Sequence, residues 1–309
     1  MDKTLLVANP VRPTAATGSA AAVMVAAPVT APAAAIAAPG AADPTAAPAR
    51  APAPSAIRFR GVAKRFHGRD VLRDVSFDVP QGCSVAIAGV NGAGKSTLLR
   101  CLLDFARPDA GQIFIGNRDS NHLHARAELG WLPERFVPPA HLNARECLEW
   151  LAGLRGTNLD VARMEALAAE LGLDARALDS RVRELSKGMT QKIGLMSIGL
   201  SDCPIWVLDE PMSGLDPLAR RNVTQLIEGA RAAGRTVLFT THGLRDLPAL
   251  CDRLVVLHDG AVRFCGTVDA FAAQYGSSDL ELAFLACLQD SSPGAACARP
   301  EHALEGCAA

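Results

Sequence analysis

The chain has 309 residues, and its 31 Lys and Arg nearly balance its 32 Asp and Glu, for a net charge of −1. Charges of both signs are mixed throughout, which argues against a general nucleic-acid-binding protein, because such proteins carry a basic patch or stripe. The nine cysteines are scattered, never form a Cys-x-x-Cys pair, and occur in a chain longer than disulfide-stapled scaffolds. A reducing cytoplasmic compartment therefore fits best.

The start of the chain differs in composition from the remainder. Residues 1–55 are rich in alanine and proline, which bury little surface and interrupt regular structure, so we predict a disordered tail there. A secretory signal peptide is the alternative, but only Lys3 precedes the apolar stretch, beside Asp2, and prolines break that stretch. No other uncharged run approaches the roughly 20 apolar residues of a transmembrane helix, so we expect a soluble chain.

The segments that follow predict strands and one helix. The stretches "AIRFRGV" and "VLRDVSFDV" alternate apolar and polar residues, as half-buried antiparallel strands do. The apolar run "CSVAIAGV" predicts a strand buried on both faces, "LLRCLLDF" a helix that ends before Pro108, and "GQIFIG" a short strand. His122 and His124 have no cysteine or carboxylate at ligand spacing, so we interpret them as part of a solvated loop rather than a metal site.

The middle of the chain is predominantly helical, from 143 to 199. Two apolar stripes at helical spacing predict core packing there. The stripes consist of Leu148, Leu151, Leu154, Met164, Leu167 and Leu171. A helical insert between two strand-rich halves indicates a subdomain, at about 131–200, mounted on an α/β core.

Alternation of strands and helices then resumes. We predict a strand at "PIWVLDE", a helix ending at Gly234, a strand at "RTVLFTTH", a short helix at "LPALC" and a terminal hairpin from "DRLVVLHDG" to "AVRFCGT". This pattern predicts an α/β fold with a mostly parallel sheet, next to an antiparallel N-terminal part. We expect the folded domain at 56–275 and a C-terminal tail at 276–309, with one short amphipathic segment, "DLELAFLACL".

The stretch "GVNGAGKST" matches the phosphate-loop pattern Gly-x-x-x-x-Gly-Lys-Ser/Thr, in its required place between an apolar strand and a helix. Glycines let backbone N–H groups converge on phosphate oxygens, Lys95 reaches the β and γ phosphates, and the Ser96 hydroxyl is a ligand for Mg²⁺. The predicted nucleotide-binding residues are Gly89, Val90, Asn91, Gly92, Ala93, Gly94, Lys95, Ser96 and Thr97.

The stretch "WVLDEPMSGLDP" places Asp209 and Glu210 directly after an apolar strand. Taken alone, the two carboxylates fit either a helix N-terminus or a metal ligand with a base. In phosphate-loop NTPases an acidic residue at the end of a neighbouring buried strand holds the Mg²⁺ that bridges the phosphates, which suits Asp209. Glu210 would then polarise the water that attacks the γ-phosphate, as a hydrolase requires.

Four further motifs carry a family resemblance. "LSKGMTQKIGL" resembles the signature motif of ABC-type ATPases, "LDEPMSGLDP" their Walker B and D-loop, "TTH" their switch histidine, and "GWLPE" falls where their Q-loop belongs. The similarity covers 57 to roughly 275 in the expected order. A lone phosphate loop would leave kinases and GTPases open, whereas the whole set identifies the chain as a member of the ABC ATPases.

The resemblance implies roles for residues outside the phosphate loop. Phe66 would stack on adenine, with a place in the core as its alternative, and His242 would contact the γ-phosphate of its own nucleotide, with a satisfied strand-end histidine as its alternative. In the signature, Ser186, Gly188 and Met189 would contact the γ-phosphate held by a second subunit.

Two departures from the family pattern stand out. Glu134 occupies the Q-loop position where glutamine is commonest, and the signature reads Ser-Lys-Gly-Met rather than Ser-Gly-Gly-Gln. Both variants resemble bacterial exporter-type ABC ATPases that act with type-2 membrane subunits, as does "LELAFL" near Leu280.

The resemblance implies an ATP-binding and ATP-hydrolysing subunit of an ABC transporter, with ATP and Mg²⁺ as cofactors. It would form a head-to-tail dimer with a second copy of the chain, in which Asp216 faces the other subunit. It would power export through a separate integral membrane permease at the cytoplasmic face of the membrane, docking around 131–141. The alternatives are a soluble ABC ATPase in translation or DNA maintenance, which commonly has two cassettes or a long insert, and a regulatory nucleotide-binding module.

Overall fold

Two β-sheets and the helices packed on them make up residues 54–290, the part of the chain that this computed structural model describes. The strands are β1 (Ser55–Phe66), β2 (Arg69–Pro80), β3 (Ser84–Ala88), β4 (Ala110–Ile115), β5 (Arg118–Asp119), β6 (Leu129–Leu132), β7 (Ile205–Leu208), β8 (Thr236–Thr241), β9 (Arg253–His258) and β10 (Ala261–Gly266). The helices are α1 (Lys95–Leu102), α2 (Leu123–Arg126), α3 (Ala144–Leu154), α4 (Val161–Glu170), α5 (Ala175–Asp179), α6 (Lys187–Gly199), α7 (Pro217–Ala232), α8 (Leu247–Leu250), α9 (Val268–Gln274) and α10 (Leu280–Gln289).

The first sheet is antiparallel and follows the order β2-β1-β4-β5. His67 and Gly68 join β1 to β2, and both have positive φ, at 49° and 81°. Positive φ at both central residues is the geometry of a tight hairpin turn whose twist matches that of the strands. The alternation in the two strands buries Phe59 against Phe77, whose rings lie 4.5 Å apart. The predicted antiparallel N-terminal part is therefore confirmed.

The second sheet follows the order β10-β9-β3-β8-β7-β6 and is parallel except for β10, which pairs antiparallel with β9. Successive side chains of a strand point to opposite faces, so this sheet separates two cores. On β3, Val85 and Ile87 pack with the antiparallel sheet and α1, whereas Ala86 and Ala88 pack with the core formed with the later helices. All five residues of β3 are buried, which confirms the predicted strand with two covered faces.

The carboxyl ends of β3, β7 and β8 lie at one edge of this sheet, because the three strands are parallel. The phosphate loop follows β3, Asp209 follows β7 and His242 follows β8. Ligands of open α/β sheets bind at the carboxyl ends of the strands. The topology therefore brings three motifs that are far apart in sequence to one edge.

Helices α3 to α6 occupy the chain between β6 and β7, where the sequence predicts a helical insert. Asn143 and Glu146 form a capping box at the start of α3, and Ser186 caps α6 by accepting a hydrogen bond from the Met189 N–H. The predicted stripe of α3 is partly wrong, because Leu148 is buried but Leu154 is 66% exposed. The α4 stripe, with Leu171 just beyond the helix, is buried.

Several short elements differ from the sequence predictions. The segment with His122 and His124 is not a loop, since His122 precedes the single-turn helix α2 and His124 lies in it. The strand β5 and helix α9 were not predicted, and residues of "GWLPE" form β6 before the loop begins. Elements of one or two turns give too little periodicity to be recognised in a sequence.

The tails lie largely outside the described residues. The predicted disordered tail covers 1–55, and β1 already begins at Ser55. Helix α10 occupies the predicted amphipathic segment, with Leu282 and Leu285 more than half exposed. Within 54–290, none of the helices has both the length and the apolar character required to cross a bilayer.

The cysteines of the described part are mostly buried thiols. Five of them, Cys101, Cys147, Cys203, Cys251 and Cys287, are free. Burial raises the pKa of the Cys101 and Cys147 thiols to about 11, so both stay protonated and unreactive at neutral pH. Cys83 and Cys265 are disulfide-bonded, which the sequence argument for a reducing compartment did not predict.

Candidate functional site

The phosphate loop, residues 89–97, connects β3 to α1, and at two positions it leaves no room for a side chain. Gly94 has φ 108°, and a Cβ atom there would lie 2.9 Å from the Val71 carbonyl oxygen. A Cβ atom on Gly89 would lie 2.4 Å from the Leu257 carbonyl oxygen. No side chain caps the N-terminus of α1, so the positive end of this helix and its first N–H groups remain available to an anion.

Lys95 is the first residue of α1, and its side chain turns back over the loop. Its Nζ donates a hydrogen bond to the Gly89 carbonyl oxygen at 2.7 Å and lies 3.5 Å from Glu210 Oε1. Lys95 is only 7% exposed. The buried ammonium group thus has a carboxylate and a carbonyl as partners, and it lies within the loop that the sequence assigns to phosphate binding.

Thr240 of β8 joins the two carboxylates that follow β7. Its Oγ1 donates a hydrogen bond to Asp209 Oδ1 at 2.6 Å and accepts one from the Glu210 N–H at 2.9 Å. All three residues are buried, and β8 lies between β7 and β3 in the sheet. Buried polar groups need partners, so the threonine hydroxyl fixes both Asp209 and the backbone that carries Glu210.

Glu210 is the centre of the site. One carboxylate oxygen lies 3.5 Å from Lys95 Nζ, and the other lies 2.7 Å from His242 Nδ1. Its backbone has φ 49°, a left-handed conformation that costs a non-glycine residue roughly 1–3 kcal/mol. The turn after β7 directs this carboxylate toward the phosphate loop, and the hydrogen bond from its N–H to Thr240 holds that turn.

A cavity of about 480 Å³ opens where these side chains meet. Among the residues predicted from the sequence, its lining includes Val90, Asn91, Gly92, Ala93, Gly94, Lys95, Ser96, Thr97, Glu134, Glu210 and His242. The structure therefore collects most of the phosphate loop, the Q-loop glutamate, the proposed base and the switch histidine around one space.

Six predicted residues do not line this cavity. Gly89 and Asp209 lie behind its wall. The Gly89 carbonyl oxygen accepts a hydrogen bond from Lys95, and Asp209 Oδ1 accepts one from Thr240. Phe66 ends β1, is 39% exposed, and lies with its ring 5.2 Å from Lys64 Nζ. The signature residues, Ser186, Gly188 and Met189, stand at the N-terminus of α6, away from the phosphate loop of the same chain.

Some of the residues that line the cavity were not predicted from the sequence. Arg69, Asp70, Val71 and Arg73 contribute from β2, and Asp259 and Gly260 from the turn between β9 and β10. None of them belongs to a motif, and the tertiary structure brings them to the phosphate loop. Thr240 was also missed, although a polar residue in the apolar strand "TVLFTTH" is a signal for a buried hydrogen-bonding role.

The oxygen atoms near the phosphate loop suit Mg²⁺. Ser96 offers a hydroxyl group in the cavity, and Asp209 has one carboxylate oxygen bonded to Thr240. Mg²⁺ prefers oxygen ligands and is held at nucleotide sites by one or two protein groups, substrate phosphates and water. In residues 54–290, no cluster of three or more His, Cys, Asp or Glu side chains could hold a metal ion by itself. Ser96 and Asp209 thus offer oxygen ligands of the type that Mg²⁺ prefers.

Comparisons with known proteins agree with this geometry. The sequence model of the ABC transporter family matches residues 72–213. An ABC transporter ATP-binding protein of Nostoc sp. is 36% identical over 201 residues, which are 64% of this chain and 60% of that protein. The chain thus spans less than two thirds of that relative's length. The Nod factor export ATP-binding protein I of Burkholderia orbicola is 38% identical over 210 residues, which are 66% of this chain and 68% of that protein.

A solved structure described as the ATP-binding subunit of an ABC transporter superposes with a TM-score of 0.68 at 31% identity, covering 75% of this chain and 99% of that one. The fold, the strand-end cavity and the sequence relatives lead to the same family. This chain belongs to the ABC transporter ATP-binding proteins.

Proposed function

We propose that the chain binds ATP with Mg²⁺ and hydrolyses it, as the nucleotide-binding subunit of an ABC exporter whose membrane-spanning part is a separate protein. The observation that carries this proposal is the placement of Glu210, buried between Lys95 and His242 in the cavity that the phosphate loop lines. A purely regulatory nucleotide-binding module has no need of a carboxylate at the position of a base.

The phosphate loop binds the triphosphate through its amide groups and Lys95. Lys95 Nζ bonds to the Gly89 carbonyl oxygen and lies 3.5 Å from Glu210, and the oxygens of a bound triphosphate would add charge-assisted hydrogen bonds to this ammonium group. When bound, Mg²⁺ supplies positive charge to the phosphates, and Ser96 and Asp209 are the residues that would hold it. Thr240 holds Asp209 Oδ1 by a hydrogen bond and so restricts the orientation of this carboxylate.

Glu210 acts as the general base. Its carboxylate accepts a proton from the water that attacks the γ-phosphate, and burial to 8% exposure limits competition from bulk solvent. His242 lies 2.7 Å from the same carboxylate and has a side chain that is 63% exposed, so it can orient Glu210 and turn toward the γ-phosphate.

A second copy of the chain completes each site. The signature residues Ser186, Gly188 and Met189 lie outside the cavity of their own chain, so their contact with a γ-phosphate needs a head-to-tail partner. The N-terminus of α6 offers a positive helix end to that phosphate. Asp216 caps α7 at the end of the D-loop and faces the same partner in this arrangement.

The membrane permease docks beside the Q-loop. A second cavity of about 680 Å³ is lined by Glu134, Val137 and other residues of that loop, together with Lys187 and Gln191 of α6. Glu134 lines both this cavity and the nucleotide cavity, so one side chain borders both sites. Val137 is 73% exposed, and a photo-crosslinker placed there should capture an integral membrane protein. Capture of soluble translation factors instead would favour the alternative function.

Export as the direction of transport follows from the relatives, since several are named Nod factor export ATP-binding protein I. The subunit then acts at the cytoplasmic face of the membrane through its permease.

The direct test is phosphate release from ATP by the purified full-length chain. Turnover should require Mg²⁺ and should vanish when the ion is chelated. Nucleotide binding without any hydrolysis, in the chain alone and with its membrane partner, would refute the enzymatic part of the proposal.

A further inference from the structure

Two arginines of β2 line the nucleotide cavity. Arg69 and Arg73 both contribute to the cavity wall, and the register of β2 against β1 shifts between them, at Val71. Both arginines are exposed, and within residues 54–290 neither guanidinium group makes a hydrogen bond or an ion pair. At roughly 3.3 Å per residue, they stand about 13 Å apart along the strand.

Among the described residues that line the cavity, these two arginines are the Lys or Arg side chains that are not already paired with a carboxylate. Lys95, the other cation of the wall, lies against Glu210 and the Gly89 carbonyl oxygen. Asp70 is held by Arg65, at 2.8 Å, on the neighbouring strand. The remaining lining carboxylates, those of Glu134, Glu210 and Asp259, would repel a triphosphate. Cations that are not already paired would add to the attraction that the phosphate loop exerts on a triphosphate.

Position distinguishes the two arginines. The Arg73 N–H donates to the Gly260 carbonyl oxygen at 2.7 Å, and the Gly260 N–H donates to the Ala93 carbonyl oxygen at 3.2 Å. Arg73 is thus linked through one residue to the phosphate loop. Arg69 is the cross-strand neighbour of Phe66, at the opposite end of the cavity wall.

We propose that Arg73 is a further nucleotide-binding residue, whose guanidinium group contacts the phosphates of ATP. This inference rests on the proposed ATP-binding function and adds a contact that no motif of the sequence contains. A guanidinium group donates two parallel hydrogen bonds to phosphate oxygens, and such charge-assisted bonds are about twice as strong as neutral ones. Arg69 lies at the end of the wall where the nucleoside would be.

The test measures binding of ATP, ADP and AMP to the full-length chain by calorimetry, for wild type and the variants Arg73→Gln, Arg69→Gln and Arg118→Gln. Arg118 is the matched control, because it is an exposed arginine of β5 that does not line this cavity. Arg73→Gln should weaken ATP binding about ten-fold, ADP binding less, and AMP binding by no more than about two-fold. Arg69→Gln should cause a smaller loss that does not depend on phosphate number, and Arg118→Gln should cause none.

Three results would overturn the inference: wild-type ATP affinity in Arg73→Gln, an equal loss for all three nucleotides, or equal losses in the Arg69 and Arg73 variants. Thermal melting checks the fold of each variant. If Arg73→Gln is unfolded, Arg73→Ala and Arg73→Lys replace it, and Arg73→Lys should bind ATP more tightly than Arg73→Ala. A wild-type chain that binds no ATP would refute the proposed function itself.

Discussion

Replacing Glu210 by glutamine should separate ATP binding from hydrolysis. Glutamine preserves the shape of the side chain and removes its charge, so the buried position is still filled. A positioned general base contributes roughly 10²–10⁴ in rate, and we therefore expect turnover to fall at least about 100-fold. The N–H of residue 210 and the Thr240 hydroxyl keep their hydrogen bond, because the change does not touch the backbone.

The effect on binding follows from the neighbours of the carboxylate. At 3.5 Å and an effective dielectric constant near 20, the Lys95–Glu210 attraction is about 5 kcal/mol before the cost of desolvating both groups. That cost offsets most of it in a buried pair. Removing the carboxylate frees Lys95 and removes a repulsive charge near the phosphates, so ATP affinity should stay the same or increase.

The assay compares steady-state phosphate release with equilibrium ATP binding, for wild type, Glu210→Gln and the control Glu228→Gln. Glu228 is an exposed residue of α7 outside the cavity, and its substitution should leave both quantities unchanged. Hydrolysis by Glu210→Gln within about three-fold of wild type would refute the assignment of Glu210 as the base.

Three further changes test other parts of the site. Lys95→Ala should abolish ATP binding in a titration, and undiminished affinity would count against the phosphate loop. Thr240→Val leaves Asp209 Oδ1 and the Glu210 N–H without their buried partner. Denaturant unfolding should therefore show a free energy of unfolding lower by about 1–3 kcal/mol, and half-maximal turnover should need a higher Mg²⁺ concentration. Unchanged values of both would contradict the role given to this hydroxyl. Deleting residues 1–53, which stops short of β1, should leave ATPase activity intact, and a loss of fold would show that the segment is not a disordered appendage.

The sequence predicts the elements of this fold that are long or carry strong local signals. Alternation identified β1 and β2, a continuous apolar run identified β3, and the phosphate-loop pattern placed the start of α1. Leu154 shows where periodicity fails, because the stripe of α3 matches a helix but Leu154, at the end of that helix, is 66% exposed. Which part of a stripe is covered depends on tertiary packing, and a single sequence does not contain that information.

The candidate site divides in the same way. Motifs predicted Lys95, Glu210 and His242, because the chemistry demands those residue types at those places. The hydrogen bonds of Thr240 and the place of Arg73 in the cavity wall were not predicted, since they arise from the order of strands in the sheet and from the approach of β2 to the phosphate loop. The positive φ of Glu210 likewise follows from the turn after β7 and not from any residue preference.

In the proposed arrangement, ATP binds at the phosphate loop, the signature of a second copy completes the site, and Glu210 is the base. The most direct measurement is the mass of the Glu210→Gln chain in solution, by light scattering, with and without ATP and Mg²⁺. Without nucleotide we predict a species of 32.3 kDa, and with ATP a species of twice that mass that holds two ATP molecules. A chain that binds ATP but does not associate with a second copy, either alone or on its membrane partner, would contradict this arrangement.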